Sequence, residues 1–523
     1  MNVLQIKRRV WVAALLAMSL LGLAGLRALS ELFQVAQRSE VTEQALNLIE
    51  PRRAAKGRLE WLPDRPTPRP LQRFRRDEIT SDYLLAHEEL SHAHLTGEAT
   101  GLRSYFHEGA LEDALLMARG PRGVLVDWKH RLRLHFYAPD GATVAFSDTY
   151  WYAQGFPGRA ARLAERQLEV VMQLDDGNWR IHHWRVTAER PVLAATLAAA
   201  TEDLRGINYQ PRSAPFELFG PAYNPREAGS DLRTVRMLGL GVVRVFVPYP
   251  PPPGYRERLG DFLELARREG VQVMVTLLDH YTRYRLEDFP GIFAHLEEIA
   301  PLLRHPAVWA VDGKNEPDRD YARAEEGNVV EFLRLWVRAV RHLGGKPVTL
   351  GFIEPAPALI PELDIVSLHH YGSTQALRGR LERLKATGKP LLLEEFGFHT
   401  QRLKIPDPHT EAEQAQYYRE VLELCRRYGV GWLAWTLYDF DRGTMPGGRG
   451  VERHLGVLRT DGSLKPAARL LMGEAVTPPT LLDSLIKRAP FALLGLLGLL
   501  GLGLAVWGWR RWRRRRAGPK KPD

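Results

Sequence analysis

The chain of 523 residues holds a single cysteine, Cys425. One thiol cannot close an internal disulfide, and it leaves no cysteine-rich metal pattern to draw. That scarcity is compatible with an oxidising compartment. No internal repeat is evident. Acidic residues are in deficit, 62 against 72 Lys and Arg, for a net charge of +10. Such a balance invites a nucleic-acid reading, but its distribution argues against one. Much of the excess lies in Lys7-Arg8-Arg9, in residues 52–76 and in residues 510–521. The first and last of these flank apolar segments, so their charge reads as membrane topology and nucleic acid is not an expected partner.

Charge is missing altogether from two stretches. Residues 10–26 are uncharged and barely long enough to span a bilayer, and residues 489–509 are uncharged and comfortably long. Basic residues precede the first and follow the second, which places both termini in the cytoplasm and the body outside, across an inner (cell) membrane crossed twice. A cleaved signal peptide is the alternative for the first stretch. No small-x-small site precedes Arg27, and polar, helix-like sequence continues to Glu50, so an uncleaved anchor is expected. Trp507, Trp509 and Trp512 suit an interfacial belt.

With 45% hydrophobic and 26% charged residues, the body has the composition of packed globular domains. Residues 27–76 read as a juxtamembrane helix and a linker; within it, 51–76 carry Pro63, Pro66, Pro68 and Pro70 and read as an extended spacer. In residues 77–190, helix-like segments at 84–95 and 109–117 precede alternating strands at 124–137, 142–152, 166–174 and 179–186. Pro139-Asp140-Gly141 and Asp175-Asp176-Gly177 are hairpin turns, because Asp-Gly accepts positive φ. Helices followed by a curled sheet resemble the nuclear transport factor 2-like cone. That resemblance implies a pocket at Trp128, His130, Tyr150 and Trp184; sheet packing is the plainer reading of the same aromatics.

From residue 204 to 473 strands and helices alternate regularly. Strands are expected at 206–209, 241–247, 271–278, 307–311, 347–352, 365–369, 390–395 and 430–437, with helices between most of them. Eight such units make one (β/α)₈ TIM barrel, whose chemistry sits at the C-terminal ends of its strands. Two glutamates stand at such ends. Glu316 lies in Gly313-Lys314-Asn315-Glu316-Pro317, and Glu395 in Leu391-Leu392-Leu393-Glu394-Glu395-Phe396-Gly397. Strands four and seven face each other across a barrel mouth. A converging carboxyl pair suits glycoside hydrolysis, one acid protonating the leaving oxygen and one carboxylate attacking the sugar.

These motifs resemble clan A glycoside hydrolases, retaining enzymes on a TIM barrel, and look closest to the family 5 and family 39 type. Asn315-Glu316-Pro317 matches the family's Asn-Glu-Pro after strand four, which implies that Glu316 is the acid/base. Glu395-Phe396-Gly397 matches its Glu-Phe-Gly after strand seven, which implies that Glu395 is the nucleophile. The strand-six pattern matches Ser367, His369 and Tyr371. Arg244 matches the strand-two arginine that steadies the nucleophile, and Trp435 the strand-eight tryptophan that floors the sugar subsite. The segment Gly456-Val457-Leu458, Asp461-Gly462 and Lys465-Pro466-Ala467 resembles the closing stretch of such barrels.

The expected electrostatics follow. Arg244 and a hydrogen bond from Tyr371 favour an ionised nucleophile, while burial and repulsion from Glu395 keep Glu316 protonated. Asn315 is placed to bond a sugar hydroxyl, and His280, ending strand three, to line the cleft. Glu394 is the rival nucleophile; side chains alternate on a strand, so only one of the pair is expected to point inward. The same alternation separates His369 from His370 as metal ligands, and no metal or other cofactor is called for. Asp439 and Asp441 are either substrate contacts or loop acids.

The expectation is a membrane-anchored retaining glycosidase cutting a β-linked polysaccharide, with a polysaccharide synthesis or export complex as a partner. A transglycosylase would use the same residues. A glycan-binding subunit without catalysis is the alternative of another class. The expected divisions are 10–26 and 489–509 as transmembrane helices, 27–76 as linker, 77–190 as the α+β domain, 204–473 as the barrel and 510–523 as a cytoplasmic tail.

Overall fold

The computed structural model describes residues 59–67, 69–119, 122–156, 159–193, 195–401, 407–445, 450–481, 483, 499–502 and 504–510. Residues 10–26, 27–50, 489–498 and the tail beyond 510 lie outside these. Among the described residues no helix is long and apolar enough to cross a membrane. Residues 499–502 and 504–510 are helical, and Leu499, Leu502, Leu504, Trp507 and Trp509 are exposed.

The described chain divides into two compact units. The first runs to Gly120 and adds Trp128–Trp151 and Arg166–Ala188; the second takes Pro121–Asp127, Tyr152–Glu165 and everything from Glu189.

The sheet has the order β1-β2-β3-β4-β5, formed by Leu59–Trp61, Val124–Tyr137, Thr143–Phe156, Arg159–Asp175 and Asn178–Pro191. The Asp-Gly turns are where the residue types require them, with φ +81° at Gly141 and +88° at Gly177. β1 corrects the reading of residues 51–76 as an open spacer. Leu59 to Trp61 pair in parallel with His130 to Leu132 of β2. Trp61 donates Nε1–H to Thr80 at 3.0 Å and packs edge-on against Phe146. A three-residue strand among prolines and arginines is too short to show a period. The helix Arg73–Thr96 likewise starts inside the supposed linker, and it ends at Gly97 in the left-handed conformation. Trp128, His130, Tyr150 and Trp184 are all buried. His130 stacks on Tyr150 at 4.7 Å and places Nδ1 2.6 Å from Asp148.

The second unit contains a closed barrel. Arg205–Asn208 (β6), Val242–Pro248 (β7), Gln272–Asp279 (β8), Val308–Asn315 (β9), Val348–Phe352 (β10), Val366–His370 (β11), Leu391–Phe396 (β12) and Gly431–Ala434 (β13) pair in sequence, and β13 closes on β6. Every pairing is parallel. This is the (β/α)₈ architecture, with one departure: the connection from β10 to β11 carries a 3₁₀ turn, Ile360–Glu362, in place of a helix. Local chemistry sets the helix ends. Asn224 caps Pro225–Met237 by accepting from two backbone N–H groups, and Thr410 with Glu413 forms a capping box on Glu411–Tyr428. Gly345 and Gly429 end their helices in the left-handed region.

The barrel interior is layered. Val242, Met274, Ala310, Ile365, Leu392 and Leu433 pack into an apolar floor. Two residues further along the strands the inward side chains turn polar: Arg244 on β7, Thr276 on β8, Asp312 on β9 and Glu394 on β12, all fully buried, with Asn208 of β6 beside them. Strand alternation carries each chain from floor to polar layer in one two-residue step. Buried polar groups are tolerable only when partnered, so this layer forms one network.

Candidate active site

Arg244 is the hub. Its Nη1 donates to Glu395 Oε1 at 2.5 Å and to Asn208 Oδ1 at 3.0 Å. Its Nη2 donates to Asp312 Oδ2 at 2.6 Å and to Asn315 Oδ1 at 2.9 Å. Its Nε donates to Thr276 at 2.9 Å and lies 3.1 Å from Glu394 Oε1. Burial disfavours the cation, but Glu394, Asp312 and Glu395 outweigh it and hold the guanidinium charged. The planar fork of arginine is what allows one side chain to serve several acids.

Glu395 is held from two sides: besides Arg244, the Tyr371 hydroxyl donates to its Oε2 at 2.7 Å. About half of Tyr371 faces solvent (48%), yet its hydroxyl is turned inward. Burial and the Glu395 charge push that phenol well up, so it remains a donor.

Glu316 stands at the end of β9 in the left-handed conformation, φ +42°. Its N–H is tied to the Gly351 carbonyl at 2.7 Å. A non-glycine residue in this region costs about 1–2 kcal/mol, a strain that collects at functional sites. The bend brings its carboxylate to His369 Nδ1 (3.2 Å) and to Arg319 Nη1 (2.6 Å). His369 Nδ1 is also 3.5 Å from Glu395 Oε2. One oxygen each of Glu316 and Glu395, with a ring nitrogen of His369, lie within 4.8 Å of one another.

The protonation of Glu316 corrects the sequence expectation. Burial pushes its carboxyl up, as anticipated, but the hydrogen bond and charge of His369, together with Arg319, outweigh burial and lower it to about 2. In the free cleft Glu316 is an anion. Burial would neutralise His369, but the charge of Glu395, the hydrogen bond to Glu316 and the nearby Glu394 carboxylate raise it to about 10.

Both acids of the Glu394-Glu395 pair face Arg244, which corrects the one-inward expectation. Pairing between β11 and β12 runs Leu368 to Leu393 and then His369 to Glu395, so Glu394 is passed over in a bulge. The bulge suspends strict alternation and turns consecutive carboxylates toward one cation. Glu394 is fully buried, and burial pushes its carboxyl up against the pull of Arg244 and His369. Gly351 leaves space for this crowding. A Cβ there would lie 2.9 Å from His369 Nε2 and 3.0 Å from both Arg244 Nη2 and Glu394 Oε2.

A cleft of about 1020 Å³ opens over the network, lined among others by Phe216, Asn315, Glu316, His369, Tyr371, Glu395 and Trp435. Trp435 lies across from Phe216 and edge-on to Phe246, an aromatic wall beside the two acids. Asn315, Arg244, His369, Tyr371 and Trp435 thus gather around Glu316 and Glu395. His280 does not join them. It has positive φ at the end of β8, its side chain is 69% exposed, and its ring is 3.5 Å from Asp279. His370 takes different partners from His369, the Ser373 carbonyl and Arg380. Asp439 is buried against Lys465 at 2.7 Å and the Gly456 N–H at 3.0 Å, a structural tie across the closing segment. Asp441 is an exposed loop acid.

Sequence reading passed over Asp312, Asn208 and Arg319. Asp312 had a signal: it is an acid inside an otherwise apolar buried strand, a placement that requires a cationic partner. Arg319 had a weaker one, standing three residues beyond Glu316 on the following turn.

Arg319 gives a first prediction. Glu316 is held below its ordinary range, so its pairing stabilises the fold above that range and the contribution is lost as pH falls toward 2. Arg319→Gln removes one of the groups responsible, so the Glu316 carboxyl titrates at higher pH. Carboxyl ¹³C NMR against pH reads the shift. Arg319 is 57% exposed, so solvent screening limits the change in stability at neutral pH to about 1 kcal/mol or less. A Glu316 titration that does not move would remove Arg319 from the acid's environment.

No family model matches the chain, and no curated protein matches it. Solved structures do resemble it. A GH5_18 protein from Bifidobacterium longum subsp. longum ATCC 55813 shares 15% identity over 53% of this chain and 81% of its own, with a TM-score of 0.43. A β-glucuronidase from Bacteroides uniformis shares 14% over 68% of this chain, which spans half of that protein, with a TM-score of 0.42. A glycoside hydrolase family 17 β-1,3-glucanosyltransferase from Rhizomucor miehei shares 17% over 51% of this chain and 97% of its own, with a TM-score of 0.40. These likenesses are too distant to assign chemistry, which rests on the side chains themselves.

Proposed function

We propose that this chain is a retaining glycoside hydrolase acting on a β-linked polysaccharide, with Glu395 as nucleophile and Glu316 as acid/base. The observation that carries the reading is the spacing of the two acids. Retaining catalysis uses carboxyls about 5–5.5 Å apart, and inverting catalysis about 6.5–9.5 Å to admit a water. The facing oxygens of Glu316 and Glu395 approach within 4.8 Å of each other, a close approach that suits the former and leaves little room between them for a water.

The surrounding groups have matching tasks. A Glu395 oxygen attacks the anomeric carbon as the glycosidic C–O bond breaks, and the leaving oxygen takes a proton through Glu316. Water then attacks the glycosyl ester, gives its proton to Glu316 and frees Glu395. Arg244 and Tyr371 aim Glu395. Asn315 has its oxygen engaged by Arg244, which leaves its amide N–H groups for a sugar hydroxyl. Trp435 and Phe216 offer flat apolar faces to sugar C–H groups. The β-linkage is supported by the resemblance of the ordered motifs to clan A enzymes.

The test is the anomer first released by the full chain from a panel of β-glucans, mannans and bacterial exopolysaccharides, followed by ¹H NMR. Retention of configuration, with products shorter than the substrate, is expected. Inversion would overturn the mechanism, and products longer than the substrate would mark a transglycosylase.

The same proposal anchors the chain twice in the inner membrane, with both catalytic acids outside. Its support is the charge around residues 10–26 and 489–509, and reporter fusions placing the barrel in the cytosol would sink it. Within it, the α+β unit is a nuclear transport factor 2-like module that docks a polysaccharide synthesis or export complex. Its deletion is expected to cost partner binding and spare hydrolysis.

A further inference from the structure

An acid/base must carry a proton when substrate arrives, yet Glu316 is surrounded by donors that keep it ionised. His369 is placed to resolve this. Its Nδ1 faces Glu316 Oε1 at 3.2 Å, and its Nε2 faces Glu394 Oε2 at an ion-pair distance of 3.8 Å. The ring thus bridges the acid/base and a carboxylate sealed below the cleft. Glu394 takes no part in the reaction as derived above, and its two oxygens make no hydrogen bond. Its Oε1 serves as a counter-charge to Arg244, 3.1 Å from Nε, and its Oε2 is the oxygen turned to the His369 ring.

We infer that the proton delivered to the leaving group rests on His369 in the free enzyme, passes through Glu316, and is retained on the imidazole by Glu394 as a positioning carboxylate. This rests on the glycosidase reading of the same cleft. In the first half-reaction Nδ1–H moves to Glu316 and on to the leaving oxygen, while Glu395 bonds to the anomeric carbon. His369 is left neutral, with its hydrogen on Nε2 toward Glu394. In the second half-reaction the proton of the attacking water returns through Glu316 to Nδ1. Protons balance over the cycle, and no other reactant is needed.

The groups facing the ring are consistent with this. Glu316 directly follows β9, Glu394 and Glu395 come from β12, and Arg244 from β7 is the opposing cation. Arg380, from the helix Thr374–Lys385, donates to the His369 carbonyl at 2.7 Å and not to the ring. Asp312 faces Glu394, and Arg319 reaches the ring only through Glu316. Three acids against one opposing guanidinium favour a charged imidazole.

Two readouts on the full chain test the inference. The direct one is side-chain ¹⁵N NMR of labelled histidine, with His369 assigned by its disappearance in His369→Gln. His369 is expected to hold both ring protons from pH 6 to 9, and in Glu394→Gln its midpoint should fall by about one unit or more. A neutral His369 at pH 7 in the wild-type chain overturns the inference whether or not the chain proves to be a hydrolase. The second is kcat/KM against pH with two substrates, one with an unactivated sugar leaving group and one with a dinitrophenolate that needs no proton. Glu394→Gln is expected to lower the first about tenfold and move its basic limb to lower pH, while sparing the second. Equal losses on both substrates with an unmoved pH profile would make Glu394 merely structural. Failure of the glycosidase reading shows differently, as wild-type inactivity on both substrates.

Discussion

Glu395→Gln is expected to lower kcat/KM by about 10⁴-fold or more on every substrate, activated or not, because the covalent step has no other nucleophile. The fold should survive. The amide keeps the volume of the acid; its oxygen still accepts from Arg244 Nη1, and its NH₂ takes the place of Oε2 and donates to the Tyr371 hydroxyl oxygen. Arg244 retains Asp312 and Glu394 as counter-charges. Thermal unfolding should therefore move little while turnover disappears. The companion variant Glu395→Ala opens space beside the anomeric carbon. Added azide should then attack from the vacated side and yield a glycosyl azide of inverted configuration. Full activity in Glu395→Gln, with loss on all substrates in Glu394→Gln, would transfer the nucleophile to the neighbouring acid. The distinction is worth drawing because both acids reach the same guanidinium.

That ambiguity marks the limit of what could be read without coordinates. The barrel strands were legible because most are short apolar runs bounded by glycine or proline, and buried parallel strands have that composition. The position of Glu316 and Glu395 at strand ends was legible for the same reason. The bulge at Glu394 was not, since a register shift between β11 and β12 depends on the partner strand and leaves no mark in local composition. Nor was the charge state of Glu316. Burial and repulsion are visible from its neighbours in sequence, but the opposing contribution comes from His369, brought 3.2 Å away by tertiary structure alone. β1 failed differently: three residues carry no usable period, and the surrounding prolines mask them. His280 ends its strand as expected, but its positive φ turns the side chain out.

The second large effect belongs to Arg244. Arg244→Met should leave Asp312 and Glu394, both fully buried, without their common cation. Removing one partner of a buried ion pair costs about 3–5 kcal/mol. That is a large part of the roughly 5–15 kcal/mol by which domains are stable. The unfolding midpoint is therefore expected to fall by about 10 °C or more at neutral pH. The pH dependence identifies the cause. Buried acids without a partner bind protons more tightly folded than unfolded, so the deficit is complete above their folded pKa and shrinks as pH falls through it. The gap between variant and wild type should narrow in mild acid, where loss of an apolar contact would leave it unchanged. Adding Asp312→Asn removes one of the stranded charges and should recover part of the stability. It should not recover turnover, because Glu395 still lacks the donor on its Oε1. Arg244→Lys separates the two roles further. It restores charge near the carboxylates but cannot donate to Glu395, Asp312, Asn208 and Asn315 from one planar fork. Stability is expected to return largely and catalysis poorly. A lysine variant with full activity would show that Arg244 supplies charge alone and that the geometry of its fork is dispensable.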